Sequence, residues 1–301
     1  MSNEKKGISA IFTSLLIWGF LPIYWKQIVN VTPVQILANR IIWSFVFVFV
    51  IILWQRRWQE FFSLKRDKNV LYLIISGFVI SLNWGTFIYA VNTGHIVDAS
   101  LGYYINPLLT ILLGAIVLKE KLTGLQIMAV ILAAGGVGVI TLSYGSVPYI
   151  AIILAVSFST YSLLKRMVKT EVVMGLAAET FAVLPLAAGF LIYVRLNGQP
   201  VYGHLGLVEL LFLLGSGIAT AVPLLLFSYG TKIISLTTVG FLQYLSPTIS
   251  LFLGIFLYHE PFTFIEGITF LLIWAALIIY SISQVKEYSK HKKIDEGGTV
   301  G

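Results

Sequence analysis

Residues 34–54 read VQILANRIIWSFVFVFVIILW, twenty-one residues with a single charged side chain, Arg40. A run of about 20 apolar residues is long enough for an α-helix to cross the hydrocarbon core of a bilayer. The stretch therefore predicts a transmembrane helix, and the rest of the chain can be compared with it.

Runs of the same kind account for most of the chain. Of its 301 residues, 58% are hydrophobic and only 11% are charged, and the mean hydropathy is +0.91. A typical soluble domain is far less apolar and carries about 25% charged residues. The sequence predicts an all-α integral membrane protein with ten spans, at residues 7–25, 34–54, 70–93, 99–118, 124–142, 147–165, 172–194, 207–229, 237–258 and 263–284.

The composition argues against several other classes of protein. The formal net charge of +7 is spread over too few charged residues to form a basic nucleic-acid-binding face. The chain has no cysteine, which removes disulfides and cysteine-ligated metals. Its aspartates, Asp67, Asp98 and Asp295, lie in predicted loops or the tail, and its four histidines are scattered. We therefore expect no enzyme active site, no metal, no cofactor and no nucleic-acid partner.

The positive charges lie overwhelmingly on one side of the predicted spans. The N-terminus, the even-numbered turns and the tail carry 17 of the 20 lysines and arginines, with Lys165, Arg166 and Lys169 counted in one turn. The other side has only Lys26 and Arg195, and Arg40 lies inside the second span. Loops rich in lysine and arginine remain in the cytoplasm, so we predict that both termini are cytoplasmic. The first apolar run lacks a cleavage site and is predicted to be a retained helix.

The chain also contains an internal repeat. Residues 71–123 and 211–263, aligned without gaps at an offset of 140, share 12 identities in 53 positions, Gly77/Gly217 among them. The same offset superimposes the remaining spans. Because each half has an odd number of spans, the second copy enters the membrane from the opposite side.

We divide the chain into a first five-helix repeat (1–142), an inverted second repeat (143–284) and a polar cytoplasmic tail (285–301). Inverted repeats are typical of secondary transporters, because the two halves can exchange conformations and expose a midplane site to alternate sides. The alternative is that duplication only builds a stable bundle.

Several motifs of the sequence resemble those of a known family. They are Tyr103-Tyr104-Ile105-Asn106-Pro107 with Glu120, Gln243-Tyr244-Leu245-Ser246-Pro247 with Glu260, Asn39 to Phe45, and Ser100 to Tyr104. Together with ten spans they resemble the EamA-type drug/metabolite transporter superfamily, and within it the RarD group. The resemblance covers nearly the whole chain. It implies a basket of ten helices around a central cavity that moves small metabolites or drugs, usually outward, across a bacterial inner membrane.

Two ionisable residues lie well inside predicted spans, where a charge costs about 2.5 kcal/mol or more. Arg40 is predicted to anchor an anion or carboxylate, since its guanidinium donates a fixed fork of hydrogen bonds. Glu179, one residue from the repeat equivalent of Arg40, is predicted to bind a substrate amine or to carry a coupling proton. A static structural pair is the alternative for both.

Other side chains predicted to line the cavity are aromatic residues and amides. Trp43 shares a helix face with Arg40 and is a candidate to stack on a flat substrate. Packing or lipid contact is the alternative for each aromatic residue, and a bond to a neighbouring helix is the alternative for each amide. The remaining candidates are Asn83, Tyr103, Tyr104, Asn106, Gln243 and Tyr244.

Pro107 and Pro247 fall in the middle of the fourth and ninth spans, where each removes one backbone hydrogen bond. We predict hinges or gates there, with simple helix bending as the alternative. Glu120 and Glu260 lie at a membrane edge before a threonine that begins a helix, and we expect them to be structural.

The expected function is secondary transport of a small metabolite or drug-like molecule, by alternating access and in the outward direction. A channel-like or facilitative pore and an intramembrane enzyme are the alternatives. The expected partners are a small-molecule substrate, the lipid bilayer and a coupling proton. A homodimer through the small-residue run 133–138 is a further hypothesis, with packing inside the monomer as its alternative.

Overall fold

The fold is helical in every part of the chain that the structure describes. A computed structural model describes residues 2–28, 30–66, 69–92, 96–144, 149–198, 202–203, 205–257 and 263–297. Within these ranges there are a 3₁₀ turn at Leu64–Arg66, a π-helical turn at Leu253–Leu257 and no strand. The α-helices are α1 (Asn3–Trp25), α2 (Pro33–Trp54), α3 (Trp58–Ser63), α4 (Val70–Asn92), α5 (Ile96–Val117), α6 (Gly124–Tyr144), α7 (Tyr149–Met167), α8 (Val172–Leu196), α9 (Leu207–Ile233), α10 (Leu236–Leu242), α11 (Leu245–Phe252) and α12 (Phe264–Gly297).

The long helices can cross a bilayer. In the described part of the chain, eight helical segments of 19 to 27 residues are long and apolar enough to do so. Two shorter apolar segments, Gly102–Val117 and Gly267–Ser283, coincide with the predicted fourth and tenth spans. Each predicted span is thus helical, and the all-helical membrane fold is confirmed.

The sequence has the Ser/Thr-x-x-Glu/Gln pattern that predicts a capping box at residues 32–35, 123–126 and 263–266, and the box forms at the first two of these helix starts. At the start of α2, the Gln35 backbone N–H donates to Thr32 Oγ1 at 3.4 Å and the Thr32 N–H donates to Gln35 Oε1 at 3.1 Å. The same exchange joins Thr123 and Gln126 before α6, at 2.9 and 3.2 Å. These bonds satisfy donors that a helix start otherwise leaves free. The side chain of Glu266, in the third predicted box, lies outside the described residues.

Two helical segments go beyond the prediction. The loop after α2 contains the short helix α3, whose Phe61 is only 6% exposed and packs into the apolar core. The last helix continues from the tenth span through Gly297, into a tail for which the sequence predicted no structure. Residues 285–297 contain lysine and glutamate, which have good helix propensity, so a helix already nucleated in the membrane can propagate through them.

The bundle has two ends, each defined by its loops. The terminal face is the end at which α1 begins. Arg57 forms a 3.7 Å ion pair with Glu171 there, which joins the loops after α2 and α7. The opposite face carries residues 26–28, 30–32, 197–198, 202–203 and 205–206.

The two halves of the chain meet through equivalent helix contacts. Helix α1 packs on α9, and the equivalent pair α7 and α4 does the same. Helix α2 packs on α9 as α8 packs on α4, and α5 packs on α7 as α11 packs on α1. Three further pairs, α2 with α8, α5 with α10 and α6 with α12, are each equivalent to themselves. All these contacts join one half to the other, so the core of the molecule is shared between the halves.

Two repeat-related glycines allow the closest of these contacts. A Cβ at Gly77 in α4 would collide with the backbone oxygen of Glu179 in α8. A Cβ at Gly217 in α9 would collide with the backbone carbonyl of Trp43 in α2. The absence of a side chain at these positions lets the helix backbones touch.

The ninth span is interrupted, whereas the fourth is not. Helix α5 continues through Pro107. In the ninth span α10 ends at Leu242, and α11 begins at Leu245 with Pro247 as its third residue. Proline has no N–H to donate to the carbonyl four residues earlier, which here belongs to Gln243, and the break lies at that residue.

The small-residue run in α6 is used inside the monomer on one side. Gly136 faces the backbone oxygen of Thr269 in α12, at 3.1 Å from an added Cβ, and Ala133 is fully buried. Gly135 and Gly138 have nothing within 4 Å of such an atom. Ala133 and Gly136 are therefore explained by packing of α6 on α12. Gly135 and Gly138 are not, so the homodimer stays a hypothesis.

Candidate functional site

Arg40 lies in α2 beneath two tryptophan rings. Its guanidinium carbon is 4.5 Å from the ring centroid of Trp25 and 4.7 Å from that of Trp84. Its Nε donates to Thr220 Oγ1 at 3.2 Å, and the residue is only 7% exposed. Desolvated cation–π contacts are worth about 2 kcal/mol, which helps to retain a buried cation. Among the described residues, no carboxylate lies within ion-pair distance of Arg40.

Glu179 in α8 forms a buried ion pair with Lys165 of α7. The Lys165 ammonium donates to the two carboxylate oxygens at 2.7 and 2.8 Å, and the two side chains are 4% and 1% exposed. The Tyr161 hydroxyl donates to the same carboxylate at 3.4 Å. The direct pair between Arg40 and Glu179 that the sequence left open is not formed.

Lys165 corrects the charge count made from the sequence. It was the last residue of the predicted span 147–165 and was also counted with the turn that follows, but α7 continues to Met167 and the Lys165 side chain is buried in its last turn. The predicted span ended two residues before the helix does, because polar residues near its end look like a boundary. The signal that could have revealed the pair was a lysine at the end of one predicted span followed by a glutamate inside the next.

The two charged centres occupy equivalent positions in the two halves. The offset of 140 relates Trp25 to Lys165, and it relates Arg40 to Thr180, the neighbour of Glu179. The first half therefore has a cation beneath an aromatic ring where the second half has a closed ion pair. Sequence reasoning missed Trp25 because an aromatic residue near a span end is usually assigned to the interface.

A narrow cleft runs between the two centres. It is lined by Trp84 at one end and Glu179 at the other, with Ile41, Ile80 and Val183 between them. Its volume of about 10 Å³ is room for about one water molecule. The expected central cavity is thus reduced to a cleft in this conformation.

All three predicted amides bond to one helix, α7. Each amide comes from a different helix and contacts a serine, which places a polar stripe along α7. The three bonds are those of Asn83 with Ser157 at 2.9 Å, Asn106 with Ser159 at 2.9 Å and Gln243 with Ser162 at 3.3 Å. A neighbouring helix is therefore the partner of these amides in this conformation.

The predicted aromatic residues divide into two groups. Tyr103 lies close to Arg40. Trp43 lies beside Tyr202, a residue of the opposite face. Tyr104 and Tyr244 are at most 4% exposed and belong to a second apolar cluster with Phe270, which meets Tyr104 edge-on at 4.7 Å. The structure thus brings Tyr103 to the charged centre and uses the other two tyrosines in packing.

Hydrogen bonds join the two halves at the opposite face. The Tyr202 hydroxyl donates to Asn39 Oδ1 at 2.7 Å, one residue before Arg40. Burial raises the pKa of the Tyr202 phenol, so it stays protonated and remains a donor at neutral pH. The Asn30 backbone N–H donates to the Glu209 carboxylate at 2.7 Å. Both bonds connect a residue of the first half to a residue of the second.

Hydrogen bonds also join helices at the terminal face. Glu120 accepts the backbone N–H groups of Leu236 and Thr237 at 2.7 and 2.9 Å, at the start of α10. This is the structural role expected of Glu120, while Glu260 lies outside the described residues. Arg166 donates to the Lys232 carbonyl at 2.6 Å, which joins α7 to α9.

A surface pocket of about 420 Å³ lies on the terminal face, near the start of α10. Its lining includes Glu120, Gln126 and Ser235. Each of these side chains caps a helix start. The pocket is therefore built from structural groups, and the charged centres described above remain the candidate site.

The family follows from comparison with known sequences. The sequence profile described as "EamA-like transporter family" matches residues 5–142 and again residues 146–282. The chain belongs to the EamA-like transporter family. The two matches to the EamA profile together cover nearly all of the chain.

Relatives of the chain carry transporter or RarD names. The "Uncharacterized transporter YojE" of Bacillus subtilis is 46% identical over 95% of this chain and 96% of its own length. "Protein RarD" of Escherichia coli is 37% identical over 94% and 96%. The "Chloramphenicol-sensitive protein RarD" of Pseudomonas aeruginosa is 25% identical over 93% and 94%. The chain is therefore a RarD-like member of a membrane transporter family.

A solved crystal structure supports the EamA fold. It covers 92% of this chain and 97% of its own, with a TM-score of 0.70 and 19% sequence identity. At 19% identity the comparison shows a shared fold alone. In the described part of this EamA-family chain, no cluster of three metal-ligating residues is found.

Proposed function

We propose that this EamA-family protein is a secondary transporter that carries a small metabolite or drug-like molecule outward across the bacterial inner membrane by alternating access. The observation that carries the proposal is the equivalence of the helix contacts made by the two halves. Halves that meet through equivalent contacts can exchange conformations, and the exchange exposes a central site to one side and then to the other.

The cleft between Trp84 and Glu179 is the proposed cargo site. Arg40 lies at the end nearer the opposite face, and the pair of Lys165 and Glu179 lies at the end nearer the terminal face. In this proposal Glu179 is the coupling group, because a proton on its carboxylate would release Lys165. The positive terminal face is cytoplasmic, as its lysines and arginines favour.

Bonds that join the two halves near both faces favour a carrier over a permanently open pore. Such bonds join Tyr202 to Asn39 on one face and Glu120 to the start of α10 on the other. The cleft between them has room for about one water molecule. A channel needs a continuous water path in its resting state, and a cleft of this size does not provide one.

Untargeted mass spectrometry of medium and cell extract tests the proposal without a guessed substrate. The comparison uses cells with the unaltered protein, with the double variant Arg40→Ala/Glu179→Gln at matched membrane abundance, or with neither. As a control, Arg57→Gln changes an arginine of the terminal face outside the cleft. A compound enriched in the medium only with the unaltered protein and the control supports export. Equal profiles in all cells would contradict it.

A further inference from the structure

The contacts of Arg40 leave part of its guanidinium free for a ligand. Trp25 and Trp84 lie against it, and Nε is bonded to Thr220. Among the described residues, no acceptor bonds to Nη1 or Nη2. Their N–H groups lie on one edge of the planar guanidinium and are spaced so that they can donate to two oxygens side by side.

The charge balance of the bundle interior differs between its two cations. Lys165 is neutralised by Glu179 at 2.7 Å. Arg40 is as deeply buried, yet among the described residues it has only neutral partners: two indoles, a hydroxyl and the nearby phenols of Tyr24 and Tyr103. Cation–π contacts compensate only part of the cost of burying a charge. Within the described residues the charge of Arg40 therefore has no counter-charge, and an anionic ligand would supply one.

The surroundings of Arg40 also define the rest of the ligand. Trp84 is shared with the cleft, whose lining beyond it is mainly apolar, with the hydroxyls of Ser81 and Thr180 and, at the far end, the carboxylate of Glu179 as its polar groups. A ligand with its charge at Arg40 that extends into a widened form of this cleft would therefore meet mainly apolar side chains beyond the charged end. A phosphate ester carries a charge of about −1.5 to −2, which one arginine does not balance.

We infer that the cargo is a monocarboxylate with an apolar body, bound with its two carboxylate oxygens on Nη1 and Nη2 of Arg40. The inference rests on the proposed transport function, because it names the molecule that the cleft carries. The repeat equivalence supports it, since the closed pair of Lys165 and Glu179 shows how a carboxylate completes the matching site in the other half.

Binding of matched probes to the purified full-length protein in detergent tests the inference. The probes are benzoate, its neutral isostere benzamide and phenyl phosphate, and the readout is the thermal midpoint during a titration. Benzoate should raise the midpoint, while benzamide and phenyl phosphate should not. Arg40→Gln should abolish the benzoate shift, and Arg40→Lys, which keeps the charge without the fork, should weaken benzoate binding about tenfold.

Arg57→Gln is the matched control, because Arg57 lies on the terminal face in a pair with Glu60. It should leave the benzoate titration unchanged. Three results would each overturn the inference: no benzoate shift in the unaltered protein, an equal shift with benzamide, or an unchanged shift in Arg40→Gln. A stronger shift with phenyl phosphate would overturn the assignment of a carboxylate.

The titration and the mass-spectrometry comparison fail separately. Benzoate binding through Arg40 without any exported compound would contradict the transport proposal and leave an anion site. Export that persists in a protein indifferent to benzoate would contradict the monocarboxylate inference and leave the transport proposal.

Discussion

At the scale of single residues, each half has a buried positive charge, and the two charges are stabilised by different partners. Lys165 and Glu179 neutralise each other at 2.7 Å, whereas Arg40 has aromatic rings and a hydroxyl as its partners. A buried pair gains little net stability over apolar packing, but a buried charge left without its partner is strongly destabilising. The two centres should therefore respond differently to the loss of one charge.

Single removal of either charge in the Lys165–Glu179 pair should destabilise the protein more than removal of both. Lys165→Met or Glu179→Gln alone leaves a polar group buried without its partner, with an expected cost of about 3–5 kcal/mol. The double variant Lys165→Met/Glu179→Gln leaves neither charge unpaired, so its thermal midpoint in detergent should lie above that of Lys165→Met. Additive losses would mean that the pair does not exist in the membrane.

The sequence predicted part of the candidate site. Arg40 and Glu179 stand out because each is a charged residue well inside an apolar span. Trp25 and Lys165 lie near the ends of spans, where the same residue types are ordinary interface residues. Only the contact between neighbouring helices, which hydropathy does not encode, joins them to the charged centres.

At the scale of helices, glycines set the closest contacts. Gly77→Ala in α4 places a methyl group against the backbone oxygen of Glu179 in α8, which cannot rotate away as a side chain could. Overpacking of this kind costs about 1–3 kcal/mol, and a backbone collision lies at the upper end. The thermal midpoint of the purified protein should fall accordingly.

Gly135→Ala is the matched control for this prediction, since nothing lies within 4 Å of a Cβ at that position in α6. Alanine also has the higher helix propensity, so the control should be neutral or slightly stabilising. A similar loss of stability in both variants would show that the α4–α8 contact is looser than described.

The break in the ninth span gives a prediction about motion. Pro247→Ala restores the N–H that can bond to the Gln243 carbonyl, so the helix can continue from α10 into α11. If the break is a hinge, transport of the compound identified by mass spectrometry should slow while the thermal midpoint stays equal or rises. Pro107→Ala, in the continuous helix α5, should have the smaller effect on rate. Equal effects would argue against a hinge.

Helix positions were largely predictable and helix interruptions were not. Hydropathy and the Thr32 and Thr123 capping boxes located the spans, because both signals are local in sequence. Pro107 and Pro247 are equivalent in sequence, yet only the second lies next to a break. Tertiary packing decides which proline interrupts its helix.

At the scale of the whole molecule, the chain should have one orientation in the membrane. It has no cysteine, so a single introduced cysteine can be labelled without background. We predict that a membrane-impermeant maleimide labels Gly203→Cys, on the opposite face, in intact cells. Gln59→Cys, on the terminal face, should react only after the cells are opened, because we predict that its lysine-rich side is cytoplasmic.

Both sites are exposed, so a difference in labelling reports the side of the membrane. Labelling of both variants in intact cells would indicate two orientations, and the reverse pattern would place the termini outside. The spans and the repeat followed from patterns in the sequence, but the sharing of one core between the halves required the contacts between helices.

The polar stripe of α7 has an evolutionary consequence. Three amides from α4, α5 and the ninth span are committed to Ser157, Ser159 and Ser162. A mutation in that stripe disturbs several helices at once, so selection should hold it fixed while cargo changes. The aliphatic walls of the cleft are held by apolar packing alone, which tolerates exchange between residues of similar volume. If the cleft binds the cargo as proposed, related lineages can acquire new substrates by exchanging one aliphatic residue for another there, while inheriting the stripe unaltered.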